Sequence, residues 1–258
     1  MELSAFGVLL DQHVRPQSLP VAIRMCRDTG EVPPKAKRPA RDLGFQAAIC
    51  QAVALARNYG WTLALEKEDL SCPLAQAVFG FVPPNDFYLE GHACAGLYTA
   101  SPQAGAATEA QVARFEPGAY AALVVAPVAR ADFEADVVLV YATPAQVMRL
   151  VTAALWKEGG RIRSSFSGRL DCSDGIIETL QSGECQVVLP CYGDRIFAQA
   201  QDHEMAFAIP ASRLEAVAEG LQGTHKGGVR YPIPAFLRYT AEFPPQYQGV
   251  LKPLPPRD

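Results

Sequence analysis

The sequence predicts an α+β fold: a mixed sheet with helices over one or both faces. Three observations predict it. Ala121 to Pro127 and Val137 to Tyr141 are valine- and leucine-rich runs of strand length, suited to a buried sheet. Gly44 to Tyr59 carries Phe45, Ile49, Ala52, Val53 and Ala56 on one helical face. The two kinds of segment mix without the strict alternation of a parallel α/β sheet. With 258 residues, 49% hydrophobic and 19% charged, the chain suits a single domain over 1–258 with a sizeable core.

The opening M-E-L-S-A-F-G-V-L-L-D has no basic leader and only a short apolar run, so no secretory signal is expected. No apolar stretch reaches the ~18–20 residues of a membrane span. A cytoplasmic setting follows, in which the seven cysteines are expected to be mostly reduced. Leu19 to Met25 has strand character, with Pro20 near its start. From Arg24 to Arg41 a basic loop surrounds Pro33-Pro34, read as a solvated loop with an anion-docking site as the alternative.

The Gly44–Tyr59 helix stops at Gly60, and Trp61 to Leu65 reads as a strand. In S-C-P-L-A-Q-A-V-F-G, Ser71 or Cys72 caps a helix that Pro73 opens and Gly80 closes. Residues 101–111, rich in Ala, Gly and Thr, form a flexible excursion, part helical, and the best candidate boundary. The proline-rich 245–258 is expected to be a surface tail.

One repeat is visible. A strand, a Pro-Ala helix start, an amphipathic helix and a Gly-Gly turn leading to an arginine run from Val138 to Arg163 and again from Met205 to Arg230. The copies could be related by a pseudo-twofold within one sheet, or be common parts recurring by chance. Gly159-Gly160 and Gly227-Gly228 suit the left-handed turns that end helices. The sheet is expected mainly from residues 120–240.

Four stretches together resemble an uncharacterised family, the ArCR-like proteins with domain of unknown function 169. They are Pro20-Val21-Ala22; I-C-Q-A-V-A-L-A-R around Cys50; S-C-P-L-A-Q-A-V-F-G around Cys72; and C-S-D-G-I-I-E-T-L-Q-S-G-E onward through L-P-C-Y-G-D-R, H-E-M-A-F-A-I-P, E-G-L-Q-G-T-H-K-G-G and R-Y-P-I-P. They extend from about residue 19 to 237, and residues 83–116 match no pattern. The resemblance implies a prokaryotic, often anaerobic setting and supplies no reaction.

The chemistry must therefore come from the residues. Cys72 and Cys172 fall at helix starts, where unpaired N–H groups and the helix dipole favour a thiolate. Ser173 or Asp174 would cap the second of these helices. Cys191 ends a strand at a glycine turn, and Cys50 sits mid-helix beside the apolar face. Joined, Cys50, Cys72, Cys172 and Cys191 would make a thiolate metal centre, zinc or an iron–sulfur cluster, and the anaerobic setting tilts toward iron–sulfur. Against this, no C-X2-C occurs, and a buried cysteine is a common core residue. Cys26, Cys94 and Cys185 read as filler, and His92, two residues before Cys94, as a satisfied histidine.

A second reading is a metal-free enzyme or binder for a small carboxylate or phosphate. Arg195, Arg163 and Arg230 would clamp the anion, and His225 would donate a proton or simply cap its helix. Asp194, Arg195, Asp202, His203 and Glu204 could instead pair around a hairpin tip. A third reading is a structural or interaction protein. The net charge of −4, without aromatics interleaved among basic residues, argues against nucleic acid. Dinucleotide, Walker, G-X-S-X-G and H-E-X-X-H motifs are absent. The partner is expected to be a small molecule or a redox protein, not a membrane.

Overall fold

The computed structural model describes residues 1–233 and 241–251. Six strands form one sheet: β1 (Val21–Cys26), β2 (Leu63–Leu65), β3 (Ala122–Pro127), β4 (Val137–Ala142), β5 (Gln186–Val188) and β6 (Met205–Pro210), in the order β2-β3-β1-β4-β6-β5. The fold is α+β, as predicted, but every pairing is antiparallel where a mixed sheet was expected. The apolar runs explain the difference. Such runs mark strands covered on both faces, which usually means a parallel sheet. Here helices cover both faces of an antiparallel one. The sheet draws mainly on residues 120–240, which hold β3, β4, β5 and β6, but the early strand β1 lies at its centre, between β3 and β4.

Alternation sorts the side chains. Val21, Ile23, Leu123, Val125, Leu139, Tyr141 and Ala208 face one core, where α2 (Ile49–Tyr59), α3 (Pro73–Val78) and the bulged helix Ser173–Glu178 pack. Ala22, Val138, Val140, Phe207 and Ile209 face the other, covered by α1 (Leu3–His13), α6 (Pro144–Ala154) and α9 (Leu214–Lys226). The sequence did not suggest α1, which buries Phe6 and Leu10. The strands that open the two repeat copies, β4 and β6, are antiparallel neighbours with Val140 opposite Phe207, and α6 packs on α9.

Several boundaries shift for local reasons. Gly44, at φ 76°, ends a turn of π-helix over Pro39–Leu43, and Ala47 bridges Leu70, so α2 begins only at Ile49. Phe45 is left exposed. Cys72 caps α3, its sulfur accepting from Ala75 N at 3.5 Å. A short helix α4 (Asp86–Leu89) precedes α5 (Pro102–Glu109), which Ser101 caps; α5 fills the stretch expected to be flexible. Gly159 and Gly160 have positive φ, but Gly227 is right-handed and only Gly228 turns left. The basic loop is tied down, with Arg38 paired to Asp69 and Glu66. In the expected tail, Pro245–Gln248 forms one helical turn, α10; residues 252–258, and residues 234–240 of the family-like stretch, lie outside the described residues. Among the described residues no helix is long and apolar enough to cross a membrane.

Candidate functional site

The first core ends in a polar corner at the Tyr141 end of β4. Cys50 lies in the first turn of α2, and Cys72 at the N-cap of α3. Cys172 lies in the first turn of the helix that continues as the bulged Ser173–Glu178 and then α7 (Thr179–Ser182). Cys191 is the N-cap of α8 (Tyr192–Phe197), a helix where the sequence suggested a turn. Ser173 does not cap its helix; it is buried, and its hydroxyl donates to Ala113 O at 2.6 Å. Cys50, Cys172, Asp171, Tyr141, Leu139 and Val188 line a small cavity of about 10 Å³, roughly one water-sized probe.

Cys50, Cys172 and Cys191 lie within electrostatic range of one another, and Cys72 within range of Cys50 and Cys172. Burial pushes the Cys172 thiol well up, and the charges of Asp171, Cys50, Cys72 and Cys191 push it further. Burial likewise raises Cys50, reinforced by Asp194, Asp171, Cys191 and Cys72. Cys191 is pushed up to about 12, by burial first and then by Asp171. This reverses the expectation for Cys172 that a helix start favours the thiolate. Desolvation and mutual repulsion outweigh the helix dipole here. Among the described residues no three His, Cys, Asp or Glu side chains already stand as the ligand set of one metal ion.

Two carboxyls complete the corner. Burial raises both Asp171 and Asp194, and each acts on the other. Asp171 is within hydrogen-bonding reach of the Cys191 thiol and of Asp194, and repulsion between the two carboxylates favours one proton shared by the pair. The Tyr141 hydroxyl donates to Asp194 Oδ2 at 2.7 Å. Behind Tyr141 the Arg57 guanidinium carbon lies 4.1 Å from the ring centroid. Arg57 is committed to Glu204, with Nη1–Oε1 at 2.8 Å and Nη2–Oε2 at 3.1 Å. The ion pairs suggested for a hairpin tip are thus replaced: Asp194 turns inward and Glu204 pairs with Arg57.

The three arginines proposed as an anion clamp are spread out. Arg195 Nη1 donates to Gln201 O at 2.6 Å. Arg163 is exposed. Arg230 lines a pocket with Met148 and Val229 that neither of the others lines. The His225 ring meets His13 edge-on at 4.8 Å, and its Nδ1 has no partner among the described residues, so the ring does not cap α9. His92 lies 3.5 Å from Glu90 and stacks on Phe87, while Cys94 is buried on Glu109. Sequence reasoning missed Tyr141, Asp171, Arg57, Glu109 and Arg169. The one available signal was D-C at 171–172, an acidic residue beside a helix-start thiol.

Fold and site define an antiparallel α+β protein with half-buried thiols gathered beside two buried carboxyls. The chain belongs to the family of uncharacterised ArCR proteins, domain of unknown function 169, whose model matches residues 9–220. It is 30% identical over 102 residues to an uncharacterised protein of Methanocaldococcus jannaschii, a match covering 39% of this chain and 44% of that relative. The chain thus spans under half of that relative's length. No solved structure matches.

Proposed function

We propose that Cys50, Cys72, Cys172 and Cys191 bind a metal centre, an iron–sulfur cluster with zinc as the other candidate, in a cytoplasmic protein with a redox or accessory metabolic role. One observation carries the reading: thiols from remote chain segments meet in a single half-buried corner, where the charges of the other three raise the proton affinity of Cys172, and those of Cys72 and Cys191 that of Cys50. Ligand-type groups that repel one another when ionised are groups that a cation can hold together. Binding would replace their protons and remove the repulsion. In kind the donors fit, since thiolates select zinc and iron–sulfur clusters. In geometry they are not yet a coordination set, so binding requires the sulfurs to draw together and Cys72 to release its cap on α3. Asp171 and Asp194 would hold and pass the displaced protons. The centre, when bound, would supply electron transfer or Lewis acidity.

The test is purification under exclusion of oxygen followed by iron, sulfide and zinc analysis. A cluster gives brown protein absorbing near ~400 nm that is lost in Cys50→Ser and Cys191→Ser. Colourless protein without iron or zinc in stoichiometric amount overturns the reading.

A further inference from the structure

Residues 83–116, without a legible pattern in the sequence, lead to a second site. Glu109, the last residue of α5, is fully buried. Arg169 Nη1 pairs with its Oε1, and the Cys94 thiol donates to the same oxygen at 3.1 Å. Arg169 is itself only 3% exposed, and its Nε and Nη2 have no hydrogen-bond partner among the described residues. Those two groups form one edge of the planar guanidinium, the edge whose parallel N–H bonds match the two oxygens of a carboxylate. A buried charged donor without an acceptor carries a desolvation cost that a bound acceptor offsets.

Arg169 lines a cavity of about 280 Å³. Tyr98, Ser165, Phe166, Gln111 and Asp174 share its wall. The Tyr98 ring centroid lies 5.3 Å from the guanidinium carbon. The volume is at the small end for ligand pockets. The polar wall offers the Ser165 hydroxyl, the Gln111 amide already donates to Ala107 O at 3.3 Å, and the Asp174 carboxyl makes the wall less favourable to a doubly than to a singly charged ligand.

We propose that this cavity binds a small monocarboxylate, held side-on by Nε and Nη2 of Arg169, with Glu109 fixing the guanidinium from its Nη1 side. The site does not depend on a metal at the cysteines. Acetate is the probe, titrated into the full chain at constant ionic strength while the Arg169 Nε–H resonance is followed by NMR. The expected result is a saturable shift with acetate, none with neutral acetamide, and a much weaker response to inorganic phosphate. Arg169→Gln should abolish saturation. Because that change also strips Glu109 of its cation, Gln111→Glu serves as the second variant: Gln111 is exposed on the rim, and a carboxylate there should weaken acetate binding about tenfold or more by like-charge repulsion. A linear drift without saturation, an equal response to acetamide or phosphate, or unchanged affinity in Gln111→Glu overturns the proposal.

Discussion

The Tyr141 hydroxyl donates to Oδ2 of Asp194 at 2.7 Å, joining the end of a central strand to a carboxyl on a short helix 53 residues later. Asp194 is almost wholly buried, and burial followed by the charge of Asp171 raises its pKa. Tyr141→Phe removes the donor and leaves a buried acceptor short of a partner, and should cost about 1–3 kcal/mol in urea denaturation at pH 7. Asp194→Asn should cost less, because it mimics the protonated acid that the fold already favours. If both variants lose the same stability, Asp194 is ionised in the native protein and the shared-proton account fails.

Arg57 and Glu204 form the buried ion pair behind that tyrosine, at 3% and 6% side-chain exposure. Breaking one side strands the other charge. Glu204→Gln is expected to destabilise by about 3–5 kcal/mol, whereas Arg57→Met combined with Glu204→Leu should recover most of the loss. Equilibrium unfolding of the two variants checks this. A double variant as unstable as the single would show that Arg57 matters through Ser18, Gln199 and the Tyr141 ring instead.

Gly220 lies where α9 crosses α6. A methyl group there would fall inside contact distance of the Ala153 carbonyl oxygen. Helix propensity alone says that glycine to alanine in a helix interior gains about 1 kcal/mol. Overpacking against a backbone oxygen should reverse the sign, with Gly220→Ala losing about 1–3 kcal/mol. Thermal melts decide it; a stabilised variant would mean the two helices separate easily.

How much of this was legible depends on whether the signal was local. β1, β3 and β4 were readable because helices on both sides leave them apolar apart from Arg24 in β1, but the same coverage hid the antiparallel pairing. Phe45 fitted the apolar face of α2 by spacing and turned out exposed, since spacing does not reveal the left-handed break at Gly44. The thiols stood out by residue type and helix position. Asp171 did not, and Asp194 stood out only as an ion-pair partner, because a carboxylate beside a turn usually faces water. Arg169 and Glu109, 60 residues apart, have no sequence pattern between them, and only the packing of α5 brings them together.

His13, at the end of α1, supplies the pH prediction. Its pKa is lowered from 6.5, first by burial, then by the charges of His225 on α9 and Arg149 on α6. Arg149 is fully buried and bound to neutral groups, the Thr224 hydroxyl at 2.6 Å and Leu221 O at 2.8 Å, so it repels an imidazolium nearby. A lowered folded pKa means that the unfolded chain takes up the proton first. The neutral histidine therefore leaves stability intact above the unfolded value of about 6.5, and stability is lost as pH falls through the folded value. Burial raises the Asp194 carboxyl to about 8 and that of Asp174 to about 7, and both favour the folded state as pH falls. Against that gain, His13→Gln should have a higher urea midpoint than wild type at pH 5.5 but not at pH 7.5. Equal changes of midpoint with pH in wild type and variant would remove His13 from the account.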